Sequence, residues 1–174
     1  MGGERLTMTI IEPTPITQAV VVALADLADC VCTELASSGG GPTCWCGLYP
    51  GATVSWDFCG ECAGDLCGMG YVRLAGVFPY SSFPEPLTDT RCTRPLGWSV
   101  DVGALRCVPT SADGSLPDPT TMSEVAINQV LDASALHRAI KCCGYDVAIE
   151  GYLPVGPQGG CVGGFWRAHL AVDG

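Results

Sequence analysis

The chain has 174 residues, of which 48% are hydrophobic and only 15% charged, which excludes a disordered chain and fits one domain with a sizeable core. Its formal net charge of −10 excludes a protein that binds nucleic acid through clustered cations. No apolar run reaches the roughly 18 residues of a membrane-spanning helix, and the N-terminus lacks the basic-then-apolar pattern of a signal sequence, so we expect neither a membrane nor a secretory route.

The chain is predicted to begin with an extended arm, residues 1–15, which either is a disordered tail or lies on a neighbouring subunit. The remaining residues, 16–174, are predicted to form a single domain. Its first helix is predicted over residues 17–37, because apolar side chains recur there at spacings of three and four. A Ser-Gly-Pro segment follows and ends this helix.

A cysteine-rich insertion is predicted at residues 42–69. It is rich in glycine and aromatic residues and carries Cys44, Cys46, Cys59, Cys62 and Cys67, with Trp45 and Trp56 between them. A loop of this length and composition requires cross-links or partners to hold its shape.

Alternation of apolar and polar residues predicts four strands, at 71–78, 97–108, 146–153 and 165–172. A capping box formed by Thr121 and Glu124 predicts a second helix over residues 122–142. The residues expected to face inward from this helix are Ala126, Ile127, Val130, Leu131 and Ile140. The order is therefore α-β-β-α-β-β, and an α+β domain is expected: an antiparallel sheet of about four strands with two main helices on one face, plus the cysteine-rich loop.

The cysteines leave three alternatives open. Cys44-x-Cys46 with Cys59-x-x-Cys62 supplies four thiolates for a tetrahedral zinc ion, although a Cys-x-Cys half is a weaker signal than a second Cys-x-x-Cys. Disulfides within the loop are the second alternative, each stabilising by about 2–4 kcal/mol. Buried free thiols are the third.

No catalytic residues and no cofactor are predicted. The Cys59–Cys62 motif lies in a glycine-rich loop rather than at the start of a helix, where redox motifs of this kind act. Cys142 and Cys143 are interpreted as packing or cross-linking residues rather than as nucleophiles paired with His137 or His169. The acidic residues are scattered, and none forms a recognisable catalytic pair.

The glycine-rich segment 156–164 lacks the Lys-Ser/Thr of a phosphate-binding loop and joins two strands, so a nucleotide site is not expected. Its glycines are typical of a tight hairpin or of close approach by a neighbouring subunit. The residues predicted to make subunit contacts are Trp45, Trp56, Gly156, Pro157, Gly159 and Gly160.

Several motifs occur together in this chain. They are Cys44-Trp45-Cys46-Gly47-Leu48-Tyr49-Pro50-Gly51, Val72-Arg73-Leu74 with Phe78-Pro79, Pro95-Leu96-Gly97-Trp98, Arg106-Cys107-Val108-Pro109, and the glycine-rich segment before the last strand. With the order of elements, they resemble small proteins encoded between the head and tail genes of actinobacterial phages, and the topology is similar to the tail-terminator fold. The resemblance covers residues 16–172.

The resemblance implies a homohexameric ring at the head–tail junction of the virion, assembled in the host cytoplasm. Such a ring caps the tail tube and docks on head completion proteins, while genomic DNA only passes through its acidic lumen. Family members have no catalytic residues to transfer. An adaptor, a stopper or a minor tail protein is the alternative within this class, and a zinc-binding protein-interaction module is the alternative of another class.

The cysteine load is where this chain departs from the resemblance, because the terminator fold does not require it. Cytosolic reduction keeps thiols free at synthesis. A virion protein is made in the cytosol and then exists outside it, so its disulfides can form after lysis.

Overall fold

The computed structural model describes residues 14–55, 67–87, 95–109, 115, 117–158 and 160–172. These residues form an α+β domain, as predicted from the sequence. The elements in chain order are α1 (Pro15–Ala36), β1 (Trp45–Leu48), β2 (Met69–Ser82), β3 (Glu85–Pro86), β4 (Leu96–Cys107), α2 (Pro119–Cys142), β5 (Asp146–Gln158) and β6 (Cys161–Ala171). Residues 1–13 of the predicted N-terminal arm lie outside the described residues.

The sheet differs from the prediction of four antiparallel strands and of the order α-β-β-α-β-β. It is a mixed sheet with six strands among the described residues, in the order β1-β2-β4-β6-β5, and β3 pairs with β2 beside this path. The four predicted strands correspond to β2, β4, β5 and β6, which pair antiparallel. The fifth, β1, lies in the predicted cysteine-rich loop and runs parallel to β2. Four residues are too short for alternation to reveal, so the sequence pattern missed this strand.

Each helix begins one turn or less before its predicted start, because a proline follows a capping residue. Thr14 caps α1, and Pro15 occupies its first turn. The carboxylate of Asp118 caps α2 by accepting hydrogen bonds from the backbone N–H groups of Thr120 and Thr121. The hydrogen bond from the Thr121 hydroxyl, together with these backbone bonds, lowers the pKa of Asp118. The predicted capping box therefore misplaced the cap by three residues.

The main core lies between the two helices and one face of the sheet. Alternate residues of the strands point to this face. On β4 they are Val100, Val102 and Ala104, and on β6 they are Ala168 and Leu170. The helices cover them with residues such as Leu27 and Leu136. Helices packed on one face, as expected, bury this side of the sheet.

The inward face of α2 is not the predicted one. Of the residues expected inside, Ile140 is buried, whereas Ala126, Ile127, Val130 and Leu131 are exposed. The side chains that do face the core are Asp132, Ala135, Leu136, Ala139 and Ile140. The second half of α2 lies against α1 and the core. In its first half, Met122 and Val125 are half-buried, whereas Ala126, Ile127, Val130 and Leu131 remain exposed.

Leu136 and Leu131 provide a matched test of this assignment, because they are the same residue type on one helix. Leu136 is fully buried and Leu131 is 41% exposed. In dilute protein, we expect Leu136→Ala to lower the free energy of unfolding by about 2–5 kcal/mol, through lost burial and the cavity left behind. Leu131→Ala should lower it by less than about 1 kcal/mol. Urea unfolding measures both, and equal losses would contradict the assigned faces.

Candidate functional site

The two helices run antiparallel but overlap along only part of their length. Three side-chain contacts set this offset: Tyr145 to Asp26 (2.6 Å), Arg138 to Glu34 (2.9 Å) and Ser38 to Asp132 (2.7 Å). Residues 15–25 of α1 therefore extend past the end of α2. Residues 119–131 of α2 extend past the opposite end of α1.

A buried ion pair holds the offset at the sheet. The Asp132 carboxylate accepts two hydrogen bonds from the guanidinium of Arg106 on β4, from Nε at 2.7 Å and from Nη2 at 2.9 Å. It also accepts the hydroxyl of Ser38, just past the end of α1. Both charges are removed from water, with side chains 4% and 11% exposed. The network joins α2, β4 and the end of α1 at one point.

The extending halves of the helices carry exposed apolar side chains. We call Ile16, Val21 and Val22 the α1 end. We call Ile127, Val130 and Leu131 the α2 end. The exposed fraction of these six residues ranges from 41% at Leu131 to 69% at Val130. The antiparallel offset places the two surfaces at opposite ends of the helix layer.

Val22 of the α1 end lies in the wall of an open groove with a volume of about 470 Å³. One helical stripe, Pro15, Gln18, Ala19 and Val22, lines one side. Tyr145 and Val172, at the ends of α2 and β6, line the other side. Its surface is mostly apolar, and no charged side chain lines it among the described residues.

A second charged cluster lies on the helix-free face of the sheet. Asp101 is fully buried at the centre of β4, with Arg73 and Arg167 directly opposite it on β2 and β6. Arg167 donates from Nε and Nη2 to the Asp101 carboxylate at 2.8 and 3.1 Å, and Arg73 donates from Nη2. Arg73 also donates to the backbone oxygen of Ala52 at 2.6 Å. The row thus anchors loop 49–55 on this face.

Neither charged cluster was predicted from the sequence. A signal was present, because Asp101, Arg73 and Arg167 are charged residues at the centres of apolar strands. A charge in such a position requires a partner. The strand order that makes these three residues neighbours is not visible in the sequence.

The predicted subunit-contact residues lie in different parts of the domain and differ in their burial. Trp45 is half-buried and packs with Tyr49 on a small core of Met69, Tyr71 and Leu105, so it contributes to packing within the chain. Gly156 and Pro157 are exposed in the hairpin between β5 and β6, and Gly160 is half-buried there. The positive φ of Gly156 and Gly160, +90° and +78°, allows this tight turn. Trp56 and Gly159 lie outside the described residues.

The cysteine-rich segment is cross-linked to the rest of the domain. Cys46 on β1 is bonded to Cys32 on α1, and Cys67 is bonded to Cys107 at the end of β4. Cys44 and Cys161 are also in disulfides. With Cys44 and Cys46 oxidised, the predicted zinc site lacks two of its four thiolates in this structure. Its other two residues, Cys59 and Cys62, lie outside the described residues.

The helix cysteines and the two histidines are not brought together as nucleophile and base. His137 packs against the ring of Trp166, with centroids 5.1 Å apart. His169 is paired with Glu150 at 2.8 Å on the helix-free face. The Cys143 thiol donates to the backbone oxygen of Ala139. Within the described ranges, no three His, Cys, Asp or Glu side chains are placed to hold a metal ion.

All four arginines of the described residues are paired with acids. They are Arg73 and Arg167 with Asp101, Arg106 with Asp132, and Arg138 with Glu34. These four guanidinium groups thus share three carboxylates, and the acidic excess of the chain is carried by the other carboxylates. Neither described helix is long and apolar enough to cross a membrane.

Comparison with known proteins assigns no family to the chain. No protein-family model matches it, and no curated protein matches it either.

The Asp101 row provides a stability test with its own control. We expect Asp101→Ala to lower the free energy of unfolding by about 3 kcal/mol, because it leaves two arginines without their shared partner. Arg167→Ala should cost about 1 kcal/mol or less, because Arg73 still neutralises Asp101 and Arg167 is partly exposed. Urea unfolding at low salt compares them, and a larger loss for Arg167→Ala would contradict the central role of Asp101.

Alkylation distinguishes the free thiols from the bonded cysteines. Among the described cysteines, Cys30, Cys142 and Cys143 are free; Cys142 is exposed, and the other two are half-buried. Burial and the neighbouring Cys30 raise the pKa of the Cys143 thiol, so its reactive thiolate is scarce at neutral pH. With iodoacetamide and no reductant, peptide mapping should find Cys142 modified at least about tenfold faster than Cys143. Modification of Cys32 or Cys46 before reduction would contradict the assigned pairing.

Proposed function

We propose that this protein is a structural virion subunit, a tail terminator that assembles with copies of itself into a ring at the head–tail junction of a long-tailed phage. The observation that carries the proposal is the exposed apolar surface at both ends of the helix layer. Side chains such as Val22 and Val130 lie in water in the isolated chain. Apolar surface of this kind on a folded domain marks a contact with another protein.

The charge distribution supports a role beside DNA without binding it. Phosphate binding requires cations that are free to replace counterions. The chain has eight Lys plus Arg against eighteen Asp plus Glu, and the four arginines in the described part of the chain are already paired. A ring of such subunits presents an acidic wall, which repels DNA and lets the genome pass.

The disulfides fit a protein that functions outside the cell. Cross-links such as Cys32–Cys46 and Cys67–Cys107 persist in oxidising surroundings and are rare in the cytosol. A virion protein is first assembled in the reducing host cytoplasm and is then released at lysis into oxidising surroundings, where its disulfides form.

The partners in this proposal are the tail tube protein on one side and head completion proteins on the other. The sixfold symmetry rests on the resemblance stated above.

The proposal predicts a defined mass in solution. Light scattering of the purified protein, with tail tubes present and absent, should give a particle of about six subunits, either alone or only on tubes. Tubes of controlled length should also stop growing when the protein is added. A monomer that ignores tubes in both conditions would overturn the proposal.

Two further outcomes separate the alternatives. A ring that binds purified head connectors but does not stop tube growth would favour an adaptor or stopper over a terminator. Metal analysis of the protein isolated under reducing conditions tests the zinc module, which requires about one zinc per chain. A metal-free protein that still assembles would leave the ring proposal in place and exclude the zinc alternative.

A further inference from the structure

We infer that neighbouring copies join head to tail through the helix layer, with the α2 end of one copy seated in the groove at the α1 end of the next. The inference rests on the proposed function, because it describes the contact that builds the ring. The contact lies on a different surface from the glycine-rich hairpin that was predicted from the sequence. Each of the two surfaces is occupied by a second copy of this chain.

The positions of the two surfaces favour this arrangement. The α1 end and the α2 end lie at opposite ends of one helix layer, so a single copy cannot cover one with the other. Contacts of like with like would give closed pairs with twofold symmetry. A contact between two different surfaces passes from copy to copy, and it closes into a ring when the rotation between copies allows. One kind of contact then covers both apolar surfaces of every subunit.

Charge also selects these surfaces for self-association. Copies of a chain with a net charge of −10 repel each other, so contact is favoured where charge is lowest. Residues 15–25 contain no charged side chain, and residues 119–131 contain only Glu124. The acids of the helix layer, among them Asp26 and Glu34, lie between the two ends. The surfaces with the fewest charges are therefore also the apolar ones.

The two ends have complementary shapes, because one is a projecting stripe and the other contains a groove. At the α2 end, Ile127, Val130 and Leu131 follow the spacing i, i+3, i+4 and form one projecting stripe. At the α1 end, the groove of about 470 Å³ has apolar walls around Val22 and Val172. An apolar helical stripe in an apolar groove is a recurrent mode of protein recognition. Val130, the most exposed residue of the stripe, is the expected anchor.

Two charge-introducing variants test the contact. Val22→Glu disables the α1 end and Val130→Glu disables the α2 end. Both residues are half or more exposed, so each variant should keep the fold, which circular dichroism and the urea midpoint check. We expect each variant alone to be monomeric by native mass spectrometry, with self-affinity reduced at least about 100-fold, because the contact would bury an unpaired carboxylate. Leu153→Glu, at an exposed position of β5 outside the helix layer, should assemble like the unmodified protein.

Mixing the two variants gives the decisive result. A Val22→Glu chain keeps an intact α2 end and a Val130→Glu chain keeps an intact α1 end, so the mixture should form dimers with one chain of each kind and nothing larger. Contacts of like with like would instead give dimers of each variant alone, and would overturn the inference. The measurement is made in the condition, with or without tubes, in which the unmodified protein assembles.

The failure of this contact is distinguishable from the failure of the proposed function. If the unmodified protein assembles and both variants assemble as well, the ring stands but its contact lies elsewhere. If the unmodified protein stays monomeric with and without tubes, the proposed function fails and the contact fails with it. If a variant binds vesicles or another protein through its remaining apolar end but never its complementary variant, the second copy is the wrong occupant.

Discussion

The buried carboxylate of Asp132 is the constraint on which the shape of the helix layer depends. A charge removed from water is tolerated only where partners replace the lost hydration. Arg106 and the Ser38 hydroxyl supply those partners, and they lie on β4 and just past α1. Asp132 must therefore sit where α1 ends and above the end of β4. Sliding α2 by one turn would leave both charges buried and unpaired. The offset of the helices, and with it the two exposed apolar ends, follows from this requirement.

The second charged cluster has the corresponding role on the other face of the sheet. β4 is the middle strand, and its successive residues alternate between the helix face and the helix-free face. Asp101 therefore points away from the helices, where Arg73 and Arg167 neutralise it and Arg73 ties down loop 49–55. The Cys32–Cys46 bond adds a covalent link from α1 to β1 at the sheet edge. The cysteine-rich segment is thus held by one ion-pair row and by disulfides rather than by a large core of its own.

The sequence predicted what depends on local periodicity and missed what depends on strand neighbours. Both helices and all four long strands were found, because each contains a segment of about eight or more residues that is typical of its element. The strand β1 was missed because Trp45–Leu48 is short and its pairing with β2 is parallel. The prediction of the inward face of α2 was wrong at Ile127 and Val130. Apolar spacing identifies an apolar face of a helix, but it does not show whether residues of the same chain pack against that face. Trp45, on β1, packs on Met69, Tyr71 and Leu105 of the same chain, and these partners could not be read from the sequence because they lie on other strands.

With exposed apolar surface at both ends of its helix layer, this domain would be better suited to a ring than to an open chain of copies. In an open assembly, every contact covers two ends, yet one α1 end and one α2 end remain in water. Closing the ring covers these last two surfaces without bringing in another subunit, so the final contact forms at little cost in translational freedom. An individually weak contact is then sufficient, and the acidic repulsion between copies keeps partial assemblies short. In the proposed role, the complete ring becomes favourable where the tube end holds subunits close together, which restricts assembly to the place where tail growth must stop.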